Sequence, residues 1–286
     1  MSNLKVVIRR QINLLIHLIV KIKRDDVFAI SSQLAYYLML SFFPFMIFLI
    51  TLIGLSPLSS IEVLGNLHAI LPNSIVELTK SIILEVVDSQ HKGLLGVSIL
   101  LMIWTSSSAF RAVIKGVNKA YDLRENRSFI KRSIISMLGI MSLALIIILA
   151  LGMLVFGNVI GTYVISKIRF YRIFIFLWNM FRYAFVFVVM IFIFALIYMF
   201  APAKRLKMKE VVYGAIFSTV GWIVVSFAFS FYINNFNNYS RFYGSLGAVF
   251  ILMTWLFLIS MIFILGVEIN CVIGQIKHRR NVDYGI

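Results

Sequence analysis

The sequence predicts an all-α fold, a polytopic helical bundle integral to a membrane, and three observations predict it. Of the 286 residues, 61% are hydrophobic and 13% charged, with mean hydropathy +0.97. A soluble domain carries about 25% charged residues, so most of this surface has to face lipid. Six stretches are apolar over the roughly 20 residues that a helix needs to cross about 30 Å of hydrocarbon. Finally, 27 Lys and Arg stand against 11 Asp and Glu, and the basic residues flank apolar runs instead of forming one stripe. That is the pattern of topology signals and anionic headgroup contacts, not of a nucleic-acid surface. A soluble enzyme, a disulfide scaffold and a disordered tail are excluded.

Residues 1–28 form the first unit, an amphipathic interfacial helix. Arg10, Asn13, His17, Lys21 and Arg24 recur at spacings of three or four, with Ile8, Ile12, Leu15, Ile19 and Ile22 on the opposite face. The basic face is expected to meet anionic lipid and the apolar face to sink into the acyl boundary or against other helices. Asp25 and Asp26 close the helix and neutralise its neighbouring cations. No small-residue cleavage site follows, so the segment does not read as a signal peptide.

The membrane domain spans residues 29–273, with six transmembrane helices expected at about 29–54, 93–113, 133–160, 180–201, 211–233 and 244–273. Residues 58–91 differ: their apolar positions recur at helical spacing but are interrupted by Pro72 and by charges, which predicts an extracytoplasmic pair of amphipathic helices. Pro44 should kink the first span and free a carbonyl. Gly157 and Gly161, and Gly214, Ser218 and Gly221, offer close helix approach. A short basic tail, 274–286, ends the chain.

Orientation follows from the cations. With the N-terminus inside, 20 of the 27 Lys and Arg lie on the inner side and 7 on the outer, so the positive-inside rule selects a multi-pass protein with both termini cytoplasmic. The 161–182 connection is assigned outside despite four basic residues.

The usual parts of catalysis are missing from the sequence. His17, His68, His91 and His278 lie on different segments without HxH or HExxH spacing, and there is no G-x-S-x-G elbow, Walker A loop or dinucleotide glycine fingerprint. No enzyme activity, metal or cofactor is expected. Cys271 reads as a small buried hydrophobe.

Functional information concentrates where a polar group persists at depth, since a charge near the bilayer centre costs at least about 2.5 kcal/mol. Glu268 lies about one turn inside the inner end of the last span and calls for a partner. Arg111 is the first choice, on a face formed by Ser107, Arg111, Lys115 and Asn118 at spacings of 4, 4 and 3. A structural ion pair, a substrate- or proton-coupled carboxyl, and a carboxylate snorkelling to water remain open readings. Gln33, Tyr36, Tyr37 and Asn270 complete an expected inner-leaflet cluster lining a cytoplasm-facing cavity. Between the last two spans, Tyr239, Arg241 and Tyr243 read as an aromatic belt and turn or as an outer headgroup contact.

Several motifs in order also carry a resemblance: Leu34-Ala35-Tyr36-Tyr37 with Ser41-Phe42-Phe43-Pro44, then Trp104 through Arg111 leading to Asn118, then Tyr243-Gly244-Ser245-Leu246-Gly247 and Gly266-Val267-Glu268-Ile269-Asn270. The chain resembles the YihY/BrkB family of bacterial inner-membrane proteins over about residues 25–273. The resemblance implies a six-span membrane protein. Members have been described as ribonuclease BN, as a virulence factor for serum resistance and as envelope-lipid or solute transporters; the residues here give the nuclease label no support.

The expected function is transport of a lipid or other anionic amphiphile across the cytoplasmic membrane, linked to envelope integrity. Glu268, Arg111, Lys115, Asn118, Tyr36, Tyr37, Ser107 and Asn270 would serve substrate binding or coupling. The alternative is a non-catalytic assembly or structural protein of the envelope. Expected partners are membrane lipids, with anionic headgroups at the basic loops, and not nucleic acid. The outward Phe and Ile face leaves lipid or a second protomer, in a homo-oligomer, as its cover.

Overall fold

The computed structural model describes residues 15–54, 92–139, 171–235 and 246–283. Among the described residues there are seven helices and no strand. They are α1 (residues 15–24), α2 (Val27–Gly54), α3 (Lys92–Ala120), α4 (residues 129–139), α5 (Tyr171–Phe200), α6 (Met208–Asn235) and α7 (Leu246–Asp283). Among the described residues three stretches are long and apolar enough to cross a membrane, Tyr183–Phe200, Met208–Ile233 and Leu246–Ile276, with Val27–Phe42 a shorter apolar helix. The 58–91 helical pair, most of the 133–160 span, Gly157 and Gly161, and Tyr239, Arg241 and Tyr243 lie outside the described residues.

Local chemistry sets the helix ends. At the end of α3, Leu123 N–H donates to Asn118 O (2.8 Å) and Asp122 N–H to Lys119 O (3.1 Å), the paired bonds of a Schellman cap. That cap puts Asp122 in the left-handed region at φ 53°, where short polar side chains are tolerated. Asp26, at φ 52°, is also left-handed, in the turn between α1 and α2, where its N–H donates to Lys23 O (3.3 Å). At the start of α6, Lys207 N–H donates to the Glu210 carboxylate (2.6 Å), half of a capping box. Helix α5 begins at Tyr171, earlier than expected, so residues 171–179 are helical and not part of a connection. Pro44 lies inside α2 without ending it.

Helix α7 is the hub: it packs on α2, α6 and α3, while α2 packs on α3 and α5 on α6. One core lies at the end of the bundle where α1 joins α2, with Val27, Ile30, Leu34, Ile114, Val117, Tyr198, Val211 and Val267 buried together. A second, around Ala35, Phe229, Leu252 and Trp255, lies further along α2, α6 and α7. Lipid is as apolar as Leu, so close approach, dispersion and hydrogen bonds have to hold such helices together. Gly214 and Gly266 supply the approach. A Cβ on Gly214 would run into the Gly266 carbonyl and Asn270, and one on Gly266 would run into Ser218 Oγ and Tyr198 Oη. The close contact expected of Gly214, Ser218 and Gly221 is therefore made, against α7.

Candidate functional site

On α3 the 4-residue spacing sets Ser107, Arg111 and Lys115 along one face beside α2. Arg111 donates to Ser107 Oγ (2.8 Å) and Ser108 Oγ (2.5 Å), and Lys115 Nζ donates to Gln33 Oε1 of α2 (3.2 Å). Ser107 is buried, Arg111 half-buried and Lys115 exposed. Tyr36 is exposed, and its ring meets Tyr37 edge-on with centroids 5.4 Å apart. Among the described residues neither Arg111 nor Lys115 has a carboxylate partner. This face presents two cations about 6 Å apart along the axis, dressed by the Ser107 and Ser108 hydroxyls and the Gln33 amide. It is suited to an anion whose remainder lies in lipid.

The expected pairing of Arg111 with Glu268 is corrected. Glu268, 1% exposed, faces Lys21 of α1, with Nζ 3.5 Å from Oε2. Lys21 is itself buried and bonds Asp25 at 2.6 Å. The basic face of α1 therefore does not simply meet lipid: the ammonium turns inward because Asp25, one turn on, and Glu268 supply buried opposite charge. Burial pulls the Lys21 ammonium down, but the Asp25 hydrogen bond and the Glu268 charge outweigh it and hold its pKa above the ordinary lysine value. Arg24 reaches both oxygens of Asp122 at 2.6 Å, and Lys119 meets Asp26 at 3.2 Å. Asp25 thus neutralises its neighbours Lys21 and Arg24 as expected, whereas Asp26 pairs with Lys119 of α3.

Asn118 and Asn270 spend their amides on the chain. Asn118 Oδ1 accepts Ala203 N–H (2.7 Å) and its Nδ2 donates to Glu125 (2.8 Å). Arg127 binds the same Glu125 through Nε and Nη2, both at 2.6 Å, and donates to Ala201 O (3.1 Å). The Arg127 hydrogen bonds hold the Glu125 carboxyl below the ordinary range, against its partial burial. This brace between the α3–α4 and α5–α6 connections was missed by sequence reasoning, although Glu125-Asn126-Arg127 beside a helix end was a visible local pair. Asn270 Oδ1 accepts Gly214 N–H (2.6 Å) at the glycine crossing, where Tyr198 Oη also meets Ser218 Oγ and donates to Phe263 O, both at 2.7 Å. Tyr198, wholly buried, gave no sequence signal beyond being one aromatic among many.

The expected inner-leaflet cluster is thus distributed. Ser107, Arg111, Lys115 and Gln33 share the α2–α3 face, Tyr36 and Tyr37 pair with each other on α2, Glu268 joins Lys21 and Asp25, Asn118 braces connections, and Asn270 holds the α6–α7 crossing. No polar contact joins Arg111 to Glu268 among the described residues. Likewise, no group of three or more His, Cys, Asp or Glu among the described residues is placed to hold a metal ion.

Comparison with known proteins places this geometry in a family. The family model described as virulence factor BrkB matches residues 18–284. A ribonuclease-like protein of Bacillus subtilis, YfkH, is 38% identical over 247 residues, covering 86% of this chain and 90% of that protein. A UPF0761 membrane protein of Pseudoalteromonas atlantica is 23% identical over 271 residues, 91% of this chain and 86% of the relative. One of Alteromonas mediterranea is 30% identical over 90 residues, 32% of this chain and 31% of its own length. No solved structure matches.

Proposed function

The chain belongs to the BrkB family of membrane proteins, and we propose that it carries a lipid or another anionic amphiphile across the bacterial cytoplasmic membrane, in support of envelope integrity. The carrying observation is the α2–α3 face, where Arg111 and Lys115 stand one turn apart with hydroxyl and amide dressing and without a carboxylate among the described residues. The described carboxylates at that end of the bundle are engaged elsewhere, with Lys21, Lys119, Arg24 and Arg127, and Glu210 with the Lys207 N–H. An anionic headgroup would supply the missing opposite charge while its tails stay in the bilayer. Tyr36 and Tyr37 would flank it, and Ser107 would hold Arg111 in place.

The orientation in this reading keeps both termini cytoplasmic. Its support is that the Arg24–Asp122 and Asn118–Ala203 contacts gather three basic segments, α1, the α3–α4 connection and the α5–α6 connection, at one end. Positive-inside topology asks for that arrangement.

The test is translocation of fluorescent phospholipids, and separately of a small anionic solute, by protein in liposomes. Arg111→Ala and Lys115→Ala should each slow movement several-fold with folded protein retained. Wild-type rates in both variants would remove this face from the function.

A second reading, a non-catalytic assembly or structural protein, draws on Asn118 and Asn270, which hold backbone groups instead of facing an open site. It predicts that neither cargo moves. The ribonuclease-like name of one relative suggests a third activity, RNA cleavage. The described residues offer no cluster for a catalytic metal, and we do not adopt it; metal-dependent cleavage of RNA by the purified protein would reverse that choice.

A further inference from the structure

Lys21, Asp25 and Glu268 put one cation and two carboxyls into a nearly dry site, their side chains 7%, 4% and 1% exposed. The division is unequal. Asp25 takes the short bond from Lys21, 2.6 Å, and a second from Arg24 Nε at 3.1 Å. Glu268 Oε2 stands 3.5 Å from Lys21 Nζ and has no hydrogen-bond partner among the described residues. The charged and titratable groups facing Glu268 are Lys21 and Arg24 from α1, Asp25 from the turn after it, Tyr121 just past the end of α3, and Cys271 on its own helix. Arg24 is largely spent on Asp122, bonding both its oxygens. Tyr121 Oη is buried and also lacks a hydrogen-bond partner.

Two carboxylates sharing one ammonium in a low-dielectric site repel each other, and the pair sheds charge most simply by taking a proton. A metal cation fits this site poorly, because the ammonium already occupies the position between the oxygens. We propose that Glu268 is a reversible proton-binding site, set between α1 and α7. On uptake, a hydronium ion gives its proton to a Glu268 carboxylate oxygen, forming the O–H bond and leaving water. On release, the carboxylate competes with Asp25 for Lys21, so the proton state bears directly on the contact that seats α1. This goes beyond the anionic-cargo reading and does not rest on it; the test below reads the carboxyl itself, so either reading can fail alone.

The full-length protein in lipid nanodiscs would be titrated while infrared difference spectra record the carboxylic acid C=O stretch. A band present at neutral pH, lost in Glu268→Gln and retained in Glu125→Gln, is the expected result. Glu268→Asp, which keeps an acid at the position, should return a band at a shifted frequency. An unchanged neutral-pH band in Glu268→Gln or Glu268→Asp, or no such band in the wild type, would overturn the proposal. Loss of the wild-type band on replacing choline with sodium at fixed pH would overturn it in favour of a metal cation.

Discussion

Replacing Lys21 by Met tests the buried centre at the α1–α7 contact most directly. The Nζ–Oδ2 distance to Asp25 is 2.6 Å and both side chains are under a tenth exposed. At an effective dielectric of about 20 the gross attraction is about 6 kcal/mol, most of which offsets desolvation of the two ions. Removing the ammonium leaves Glu268 without its cation and Asp25 with only the 3.1 Å bond from exposed Arg24, and breaking a buried pair in this way costs about 3–5 kcal/mol. Met matches the aliphatic stem of Lys, so loss of packing contributes little. The assay is equilibrium unfolding in mixed micelles, with Lys23→Met as the exposed neighbour control. In the double variant Lys21→Met/Asp25→Asn the Asp25 charge is removed with the ammonium and only Glu268 remains, so part of the stability should return, with a coupling of about 1–3 kcal/mol in the cycle. A loss below about 1 kcal/mol for Lys21→Met, or none beyond that of Lys23→Met, would refute the reasoning that α1 is held by a buried ion pair.

The remaining expectations follow from the same geometry. Gly266→Ala and Gly214→Ala should each cost about 2 kcal/mol or more by overpacking the α6–α7 crossing, whereas Gly274→Ala, whose Cβ would meet nothing within 4 Å, should be neutral or slightly stabilising; folded yield and melting temperature separate them. Asn118→Ala orphans the Ala203 N–H and removes a donor from Glu125, so a loss of about 1–3 kcal/mol is expected, read as faster hydrogen exchange in both connections. Glu125 has its pKa depressed in the folded state, so its contribution is present above the ordinary Glu value and lost as pH falls through the folded one. Protease cutting of the α3–α4 connection should rise on acidification in the wild type. In Glu125→Gln it should start high and change little with pH.

Helix existence and extent were legible because they depend on composition summed over 20 or more residues, which one substitution hardly alters. The expected spans at 29–54, 211–233 and 244–273 lie within a few residues of Val27–Gly54, Met208–Asn235 and Leu246–Asp283, apart from the tail of the last helix. The start of α5 was not legible. Arg172 and Arg182 carry charges that count against a span in hydropathy, yet a helix extends beyond the hydrocarbon at no backbone cost, and α5 begins at Tyr171.

Sequence alone also singled out particular polar groups: Glu268 and Asn270 for their depth, and Arg111, Lys115 and Asn118 for their shared face. Helical periodicity puts residues four apart on one side, and it correctly set Ser107 beside Arg111. Which groups meet across helices was decided only by tertiary packing. Periodicity fixes the angle of a side chain about its own axis but says nothing of which helix lies opposite. Arg111 and Glu268 looked matched by depth and charge. The fold brought in α1 instead, with Lys21 against Glu268 and the Gly214–Gly266 crossing holding α7 in place, because the close-packing requirement of the whole bundle outweighs the attraction of any single pair of charges.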